Sequence, residues 1–327
     1  MLRKVFRIAA FLVIFLASVL GAEESPTGFE VWLQEFAQQA ETAGISRRTL
    51  DSALSDVSYL PGVIEADRKQ PEFRISLADY LAEAVTDERI AKGRQLLLEN
   101  RPLLRKIAAK YRVQPHYLVA LWGIESEFGR HTGKVPILSA LATLAYDARR
   151  SAYFRQELLN ALRILDSGRL TKDRLIGSWA GAIGNLQFMP STFLGFAVDG
   201  NGDGLIDLWN TPEDYLASAA NYLHESGWHW RQRWGREVKV PSSLIDSQIG
   251  LETSATLRSW QKRGVRLING RDLPRAGFPG SLVLPEGRAG KAFLVYDNYR
   301  VLMKWNKAHS FAIAVGRLAD RIAAGGY

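Results

Sequence analysis

The 327-residue chain contains no cysteine. That excludes a disulfide framework, thiolate iron–sulfur ligation, a cysteine zinc site and a cysteine nucleophile, and it leaves no thiol to carry an N-terminal lipid. Histidine is scarce, and the five present form no ligand-spaced cluster. His224-Glu225-Ser226-Gly227-Trp228 lacks the second histidine of a zinc-protease helix, and the stretch 129–135 lacks both the first glycine and the hydroxyl of a P-loop. A G-x-S-x-G turn for a serine nucleophile is missing too. So are internal repeats and low-complexity tracts. With 47% hydrophobic and 23% charged residues, 28 glycines and 12 prolines, the composition is that of a globular protein and not of a disordered, collagenous or coiled-coil chain. The length suits about two domains.

The first 22 residues place Arg3, Lys4 and Arg7 before an apolar run over 8–20, with the small residues Gly21 and Ala22 after it. This is the pattern of a cleaved secretory signal peptide; the run is shorter than the ~20 residues of a spanning helix. Its removal takes away three bases and no acid, lowering the formal charge from +8 to +5. A soluble, exported basic protein without a lipid anchor is expected, in the periplasm. It suits an acidic extracytoplasmic polymer such as a cell wall, and its compartment disfavours nucleic acid.

Beyond the signal most of the chain has helical periodicity. Val31, Phe36 and Ala40 mark a helix over 29–43 closed by Gly44, and further helices are expected over 76–84, 87–98, 102–111, 114–128, 137–145 and 151–167. A loop or linker is expected near 56–63. After Trp234 the composition shifts: β-prone runs at 238–240, 265–268, 281–284 and 292–296 alternate with Gly and Pro. A final helix over 309–324 is expected to return to the helical core. The fold class is mainly α (α+β), with expected segments 23–110 (helical N-terminal domain), 111–235 (catalytic core), 236–300 (small mixed β insert) and 301–327 (C-terminal helix).

Three local motifs carry chemistry. In QPHYLVALWGIESEFG (114–129), Leu118, Leu121, Trp122 and Glu125 follow at helical spacing, which puts a carboxylate on an apolar stripe. Desolvation there raises a carboxyl pKa, as a general acid near neutral pH requires; a buried Glu held by structural hydrogen bonds fits the window equally. Glu127 points elsewhere. In GAIGNLQFMPSTF (181–193), Gly181 and Gly184 allow close backbone approach, Gln187 offers an amide suited to an acetamido group, and Pro190 opens a helix. Alone, this is also an ordinary glycine turn. DGNGDGLIDLWN (199–210) follows a calcium-loop pattern with Gly204 at the sharp turn and Asp207 at the ninth position. Asn210 replaces the acid expected at position twelve, with Glu213 and Asp214 just beyond; a metal-free Asx-turn loop is the alternative. The aromatics Trp209, Tyr215, Tyr222, Trp228, Trp230 and Trp234 form a dense run, suited either to stacking on sugar rings or to a core.

Together, GIESEFG, GSWAGAIGNLQFMPSTF, the DGNGDG loop followed by ANYL, and the late KWN with FAIAVGRLADRI resemble the B-type lytic murein transglycosylases over nearly the whole mature chain. The resemblance implies a lysozyme-like helical core with a helical N-terminal domain and a small β-containing insert. It implies Glu125 as the catalytic acid/base, and Gln187, Tyr80, Tyr222, Trp305, Asn306 and Phe311 as substrate contacts. Trp305 and Phe311 stand where the family usually has tyrosines, which keeps the rings and loses two hydroxyls. A structural Ca2+ is implied on Asp199, Asn201, Asp203, the Leu205 carbonyl and a downstream acid, for which helix alignment favours Asp214. No organic cofactor is implied. Expected partners are peptidoglycan glycan strands and cell-wall synthesis or remodelling proteins, with the enzyme itself a monomer.

The reaction implied is cleavage of the MurNAc-GlcNAc β-1,4 bond with formation of 1,6-anhydromuramic acid. Most glycosidases flank the bond with two carboxylates, about 5–5.5 Å or 6.5–9.5 Å apart, and substrate-assisted enzymes are the exception. The motifs here offer one. A muramidase that hydrolyses the same bond and a non-catalytic peptidoglycan-binding scaffold are the alternatives.

Overall fold

A computed structural model describes residues 26, 28–69 and 75–325. The segment assigned to a signal peptide, 1–22, lies outside them. No helix among the described residues is long and apolar enough to cross a membrane. The helices, in chain order, are α1 (Phe29–Thr42), α2 (Arg47–Leu54), α3 (Pro61–Arg68), α4 (Leu77–Ala84), α5 (Asp87–Glu99), α6 (Arg101–Tyr111) and α7 (Pro115–Ser126). They continue with α8 (Ile137–Tyr146), α9 (Ser151–Asp166), α10 (Pro190–Phe196), α11 (Pro212–Glu225), α12 (Leu257–Lys262), α13 (Asp297–Trp305) and α14 (His309–Ala323). The strands are β1 (Val135–Pro136), β2 (Ile176–Gly177), β3 (Gly235–Lys239), β4 (Ala255–Thr256), β5 (Arg266–Leu267), β6 (Pro279–Val283) and β7 (Ala292–Val295).

Local chemistry explains many of the starts. Ser46, Ser76, Thr86 and Thr256 precede α2, α4, α5 and α12, and each accepts the backbone N–H three residues on, satisfying one of the orphan donors of a helix N-terminus. Proline occupies the first turn of α3, α6 and α10, where its missing N–H costs nothing. For that reason the loop expected over 56–63 ends early, with α3 beginning at Pro61.

The chain packs as two compact units that interleave along the sequence: Met1–Phe73 with Trp122–Asn221, and Arg74–Leu121 with Tyr222–Tyr327. The expected segments ran sequentially; the units do not, because the crossings fall inside α7 and α11. The boundary expected at 300–301 falls within α13.

In the first unit α8 is the hub. Every residue from Ile137 to Ala145 is buried, as befits a helix apolar on all sides, and α1, α3 and α9 pack on it. The β1–β2 pair joins Val135 to Gly177 and Pro136 to Ile176. In the second unit α14 packs against α4, α5 and α13, and an antiparallel sheet of order β4-β6-β7-β3-β5 carries its own core of Val238, Leu257, Trp260, Leu282, Leu294 and Tyr296. The inner strand β7 is buried along its length, so its sequence is a continuous apolar run and not an alternation. Gly316 on α14 faces Trp234 so closely that a Cβ there would lie 2.3 Å from the indole.

Candidate active site

The active-site segment starts at the end of α7. Its residues from Tyr117 to Ile124 are all buried, and Glu125, in the last turn, is half-buried. This corrects the expected apolar stripe: α7 is enclosed on every side, and Glu125 stands out by being where that enclosure ends. The chain then leaves the helix through three consecutive left-handed residues, Glu127 (φ 51°), Phe128 (φ 59°) and Gly129 (φ 87°). The turn is held by backbone bonds from Phe128 N to Trp122 O at 3.2 Å and from His131 N to Ser126 O at 2.9 Å. Gly129 N also donates to Ser126 Oγ at 2.9 Å. Glu127 has its own partners: its carboxylate accepts from His131 Nε2 at 2.9 Å and faces Arg130 Nη1 at 3.6 Å.

The Gly-rich motif folds into a tight loop closed by reciprocal bonds, Ile183 N to Phe188 O at 2.7 Å and Phe188 N to Ile183 O at 3.0 Å. Gln187 is a left-handed residue of that loop, at φ 49°, as is Gly184 at φ 68°. Its amide nitrogen donates to Gly184 O at 2.8 Å and Thr132 O at 3.3 Å. Those bonds fix the amide so that Oε1 is left to accept from a ligand N–H, the polarity an acetamido group needs.

One buried side chain joins the two motifs. Asn185, 2% exposed, accepts from Trp122 Nε1 at 2.8 Å and donates to Leu208 O at 3.1 Å and Trp209 O at 2.6 Å. A Cβ on Gly129 would lie 2.5 Å from Asn185 Oδ1. The turn after α7, the glutamine loop and the end of the acidic loop thus meet at Asn185. Asn185 has no prominence in the motif reading; the available signal is a polar residue inside an otherwise apolar, glycine-flanked turn.

The acidic loop is ordered by its carboxylates. Asp199 accepts from Gly202 N at 2.6 Å and Gly204 N at 2.8 Å, and Asp203 from Leu205 N at 2.8 Å. Asn201 accepts from Asp203 N at 3.0 Å. Asp214, 1% exposed, accepts from Gly200 N at 2.8 Å and Asp207 N at 2.7 Å. Asp214 thus ties the two ends of the loop through these two hydrogen bonds. Burial pushes its carboxyl up, and Asp199 and Asp203 add to the rise, whereas the Gly204 N–H bond holds Asp199 down. These all-oxygen donors are of the kind a hard cation such as Ca2+ takes. Among the described residues no group of three or more His, Asp or Glu side chains is yet arranged to hold a metal.

The remaining expected contacts lie in the second unit. Tyr80, on α4, is 9% exposed. Tyr222, half-buried at the end of α11, meets Trp305 edge-on at 4.8 Å and 69°, and burial raises its phenol pKa. Asn306 caps α13 and accepts from Ala308 N at 3.0 Å. Phe311 departs from expectation. It is 2% exposed on the core face of α14, and a ring so enclosed offers no face to a sugar. The aromatic run divides likewise: Tyr215, Trp228 and Trp234 are core, while Trp209, Tyr222 and Trp230 are half-buried.

The family described as "Transglycosylase SLT domain" matches residues 28–320. The chain belongs to the transglycosylase SLT family. It is 34% identical over 292 residues to the membrane-bound lytic murein transglycosylase B of Escherichia coli K12, covering 86% of this chain and 79% of that one. SltB3 of Pseudomonas aeruginosa, solved in complex with NAG-anhNAM-pentapeptide, matches with TM-score 0.86 and 43% identity over 93% of this chain and 80% of its own. The lytic transglycosylase Slt35 of E. coli, in complex with calcium, matches with TM-score 0.74 and 28% identity over 90% and 93%. This member of the SLT family is an enzyme of the lytic transglycosylase class, with the mainly helical, lysozyme-like fold of its relatives.

Proposed function

We propose that the protein cleaves the MurNAc-GlcNAc β-1,4 bond of peptidoglycan and closes a 1,6-anhydromuramic acid ring, with Glu125 as the single acid/base. The observation that carries this is the place of Glu125, half-buried in the last turn of α7 after the buried run from Tyr117 to Ile124 and one helical turn from Trp122, which Asn185 ties to the glutamine motif; that motif contains no acid. Without a second carboxylate in these motifs, the substrate supplies the nucleophile. Glu125 protonates the leaving oxygen as the C1–O4 bond breaks and the MurNAc acetamido oxygen bonds to C1; Glu125 then takes the C6 hydroxyl proton as the C6 oxygen attacks C1 and the C1–O(acetamido) bond breaks, restoring the acetamido group. The anhNAM ligand of the P. aeruginosa relative supports this product.

Gln187 receives the acetamido N–H through Oε1, and Tyr80, Tyr222, Trp305 and Asn306 complete the substrate contacts; Phe311 acts only by packing α14. Asp199, Asn201, Asp203, the Leu205 carbonyl and Asp214 would hold a calcium ion, which neutralises the loop and takes no part in proton transfer. The enzyme acts in the periplasm.

Mass spectrometry of digested sacculi tests the reading. Anhydro ends are expected; reducing ends indicate a muramidase, and binding without cleavage a scaffold. Glu125→Gln is expected to bind murein and lose at least the ~10²–10⁴-fold that general acid–base catalysis supplies, whereas Glu127→Gln retains most turnover. Near-normal turnover by folded Glu125→Gln removes the assignment.

A further inference from the structure

Two segments of the second unit carry no acidic residue: 100–121, which follows Glu99, and 226–236, which lies between Glu225 and Glu237. The fold brings them together. α6 buries Leu104, Ile107, Ala108 and Tyr111, so its opposite face presents Arg105, Lys106 and Lys110, all exposed. At its end Arg112, in a left-handed cap with φ 56°, lays its guanidinium over the Trp230 ring at 5.4 Å. Gln114 fixes that junction, donating to the carbonyls of Trp230 and Gln232 and accepting from Trp228 Nε1 at 2.6 Å. Arg231 is exposed beside Trp230 in the chain.

Among the described residues none of these five cations is in a side-chain ion pair, whereas Arg233 pairs with Asp320, Arg266 with Asp272, Arg317 with Glu237 and Arg321 with Asp87 in the same unit. An un-neutralised basic face held in a fixed geometry attracts an anionic partner. A lipid bilayer is the poorer fit, because membrane-surface helices bury an apolar face among the lipids. The apolar face of α6 is turned into the unit, and no exposed large apolar side chain lies on α6 or in the 228–232 loop. What remains is charge and one half-buried indole, which suits a hydrated polymer bearing carboxylates.

We propose that Arg105, Lys106, Lys110, Arg112 and Arg231, around Trp230, form a second, non-catalytic contact surface for the carboxylate-bearing peptide stems of peptidoglycan. This rests on the substrate proposed above. The surface holds the enzyme on the murein by electrostatics while the strand is cut elsewhere.

The test is co-sedimentation of the Glu125→Gln protein with intact sacculi, so that binding is read without digestion and independently of the product analysis. Exposed charge pairs each contribute about fivefold at most. The triple variant Arg105→Glu/Lys106→Glu/Lys110→Glu is therefore expected to bind about tenfold more weakly at low salt, with unchanged melting, and the difference is expected to vanish at ~1 M salt. Arg105→Lys is expected to bind normally, since the contact requires charge and not a fork. A neutral set, Arg105→Gln/Lys106→Gln/Lys110→Gln, gives the same reading if the reversals fail to fold. Unchanged murein binding by either folded set overturns the proposal, as does loss of binding to phosphatidylglycerol vesicles with murein binding intact. A cleavage assay that fails while salt-dependent murein binding holds would instead count against the catalytic assignment alone.

Discussion

Truncating Asn185 to alanine separates the three segments that meet in the active-site unit, and the structure sets the size of the effect. The substitution removes the acceptor of Trp122 Nε1 and the donor to Trp209 O. Leu208 O retains a bond, from Asn185 N at 2.8 Å, so two groups and not three lose their partner. A buried polar group left unpaired costs about 1–3 kcal/mol, and Trp209 is half-buried and admits water, so a loss of about 2–4 kcal/mol is expected. Against a typical ~5–15 kcal/mol of folding free energy, the variant stays folded at low temperature. Urea unfolding followed by tryptophan fluorescence measures the loss. Trp122 lies one helical turn before Glu125, and a ~1 Å misplacement of a catalytic group costs about a hundredfold, so turnover of the folded variant is expected to drop ~10–100-fold. Asn185→Asp preserves the acceptor for Trp122 but sets a carboxylate against two carbonyl oxygens, and no rescue is expected. Stability within ~0.5 kcal/mol of the parent, a spread typical of substitutions away from any special feature, with full turnover, refutes the reasoning.

Other outcomes follow from single sites. Gln187→Ala is expected to weaken binding of N-acetylated strands about tenfold and of de-N-acetylated strands little, measured by isothermal titration in the Glu125→Gln background; equal losses remove the acetamido contact. Chelation is expected to lower the melting temperature, because a ligand that binds only the folded state stabilises it, and Asp203→Ala to abolish that response; calcium-independent melting leaves the loop as an Asx turn. His116 is held neutral by burial, with Arg233 adding to the effect, so that its pKa falls to about 4 from 6.5. The unfolded chain therefore binds the extra proton between those values, and stability is expected to fall by ~1.4 kcal/mol or less per pH unit as pH drops from 6.5 toward 4; His116→Gln is expected to flatten that part of a urea-melt pH series.

Most of the long helices are legible in the sequence because period and punctuation agree; α11, of 14 residues, is the exception. Gly44 ends α1, Ser76 and Thr86 cap α4 and α5, and 309–324 appears as α14. The β-prone runs after Trp234 become β3, β5, β6 and β7. Short elements fail for want of length: α12 has six residues, and α13 begins in a stretch that continues β7. The motif residues Glu125 and Gln187 are legible as chemistry, but Asn185 is not, since its partners lie 63, 23 and 24 residues away and no local pattern encodes them. Periodicity sets Phe311 on the core-facing side of the last helix, where it is buried with Val315 and Leu318; the substrate contact comes from the family resemblance. A spacing of three and four identifies one apolar face of α7, whereas the helix is buried on every side from Tyr117 to Ile124.

Strain points to the same place as the motifs. Among the described residues four that are not glycine have positive φ: Arg112, Glu127, Phe128 and Gln187. Such a conformation costs a side-chain-bearing residue roughly 1–2 kcal/mol, and it persists only where the surroundings over-determine it. Arg112 is a helix cap, an ordinary use. The other three fall in the two turns that follow Glu125 and present Gln187; each turn is closed by its own backbone bonds and linked to the other by Gln187 to Thr132 O and Trp122 to Asn185. Each turn thus holds its strained residues by bonds of its own and by bonds to the other. Glu125 and Gln187 are therefore positioned by one connected set of hydrogen bonds, and a bond broken in the glutamine loop is expected to be felt at the end of α7.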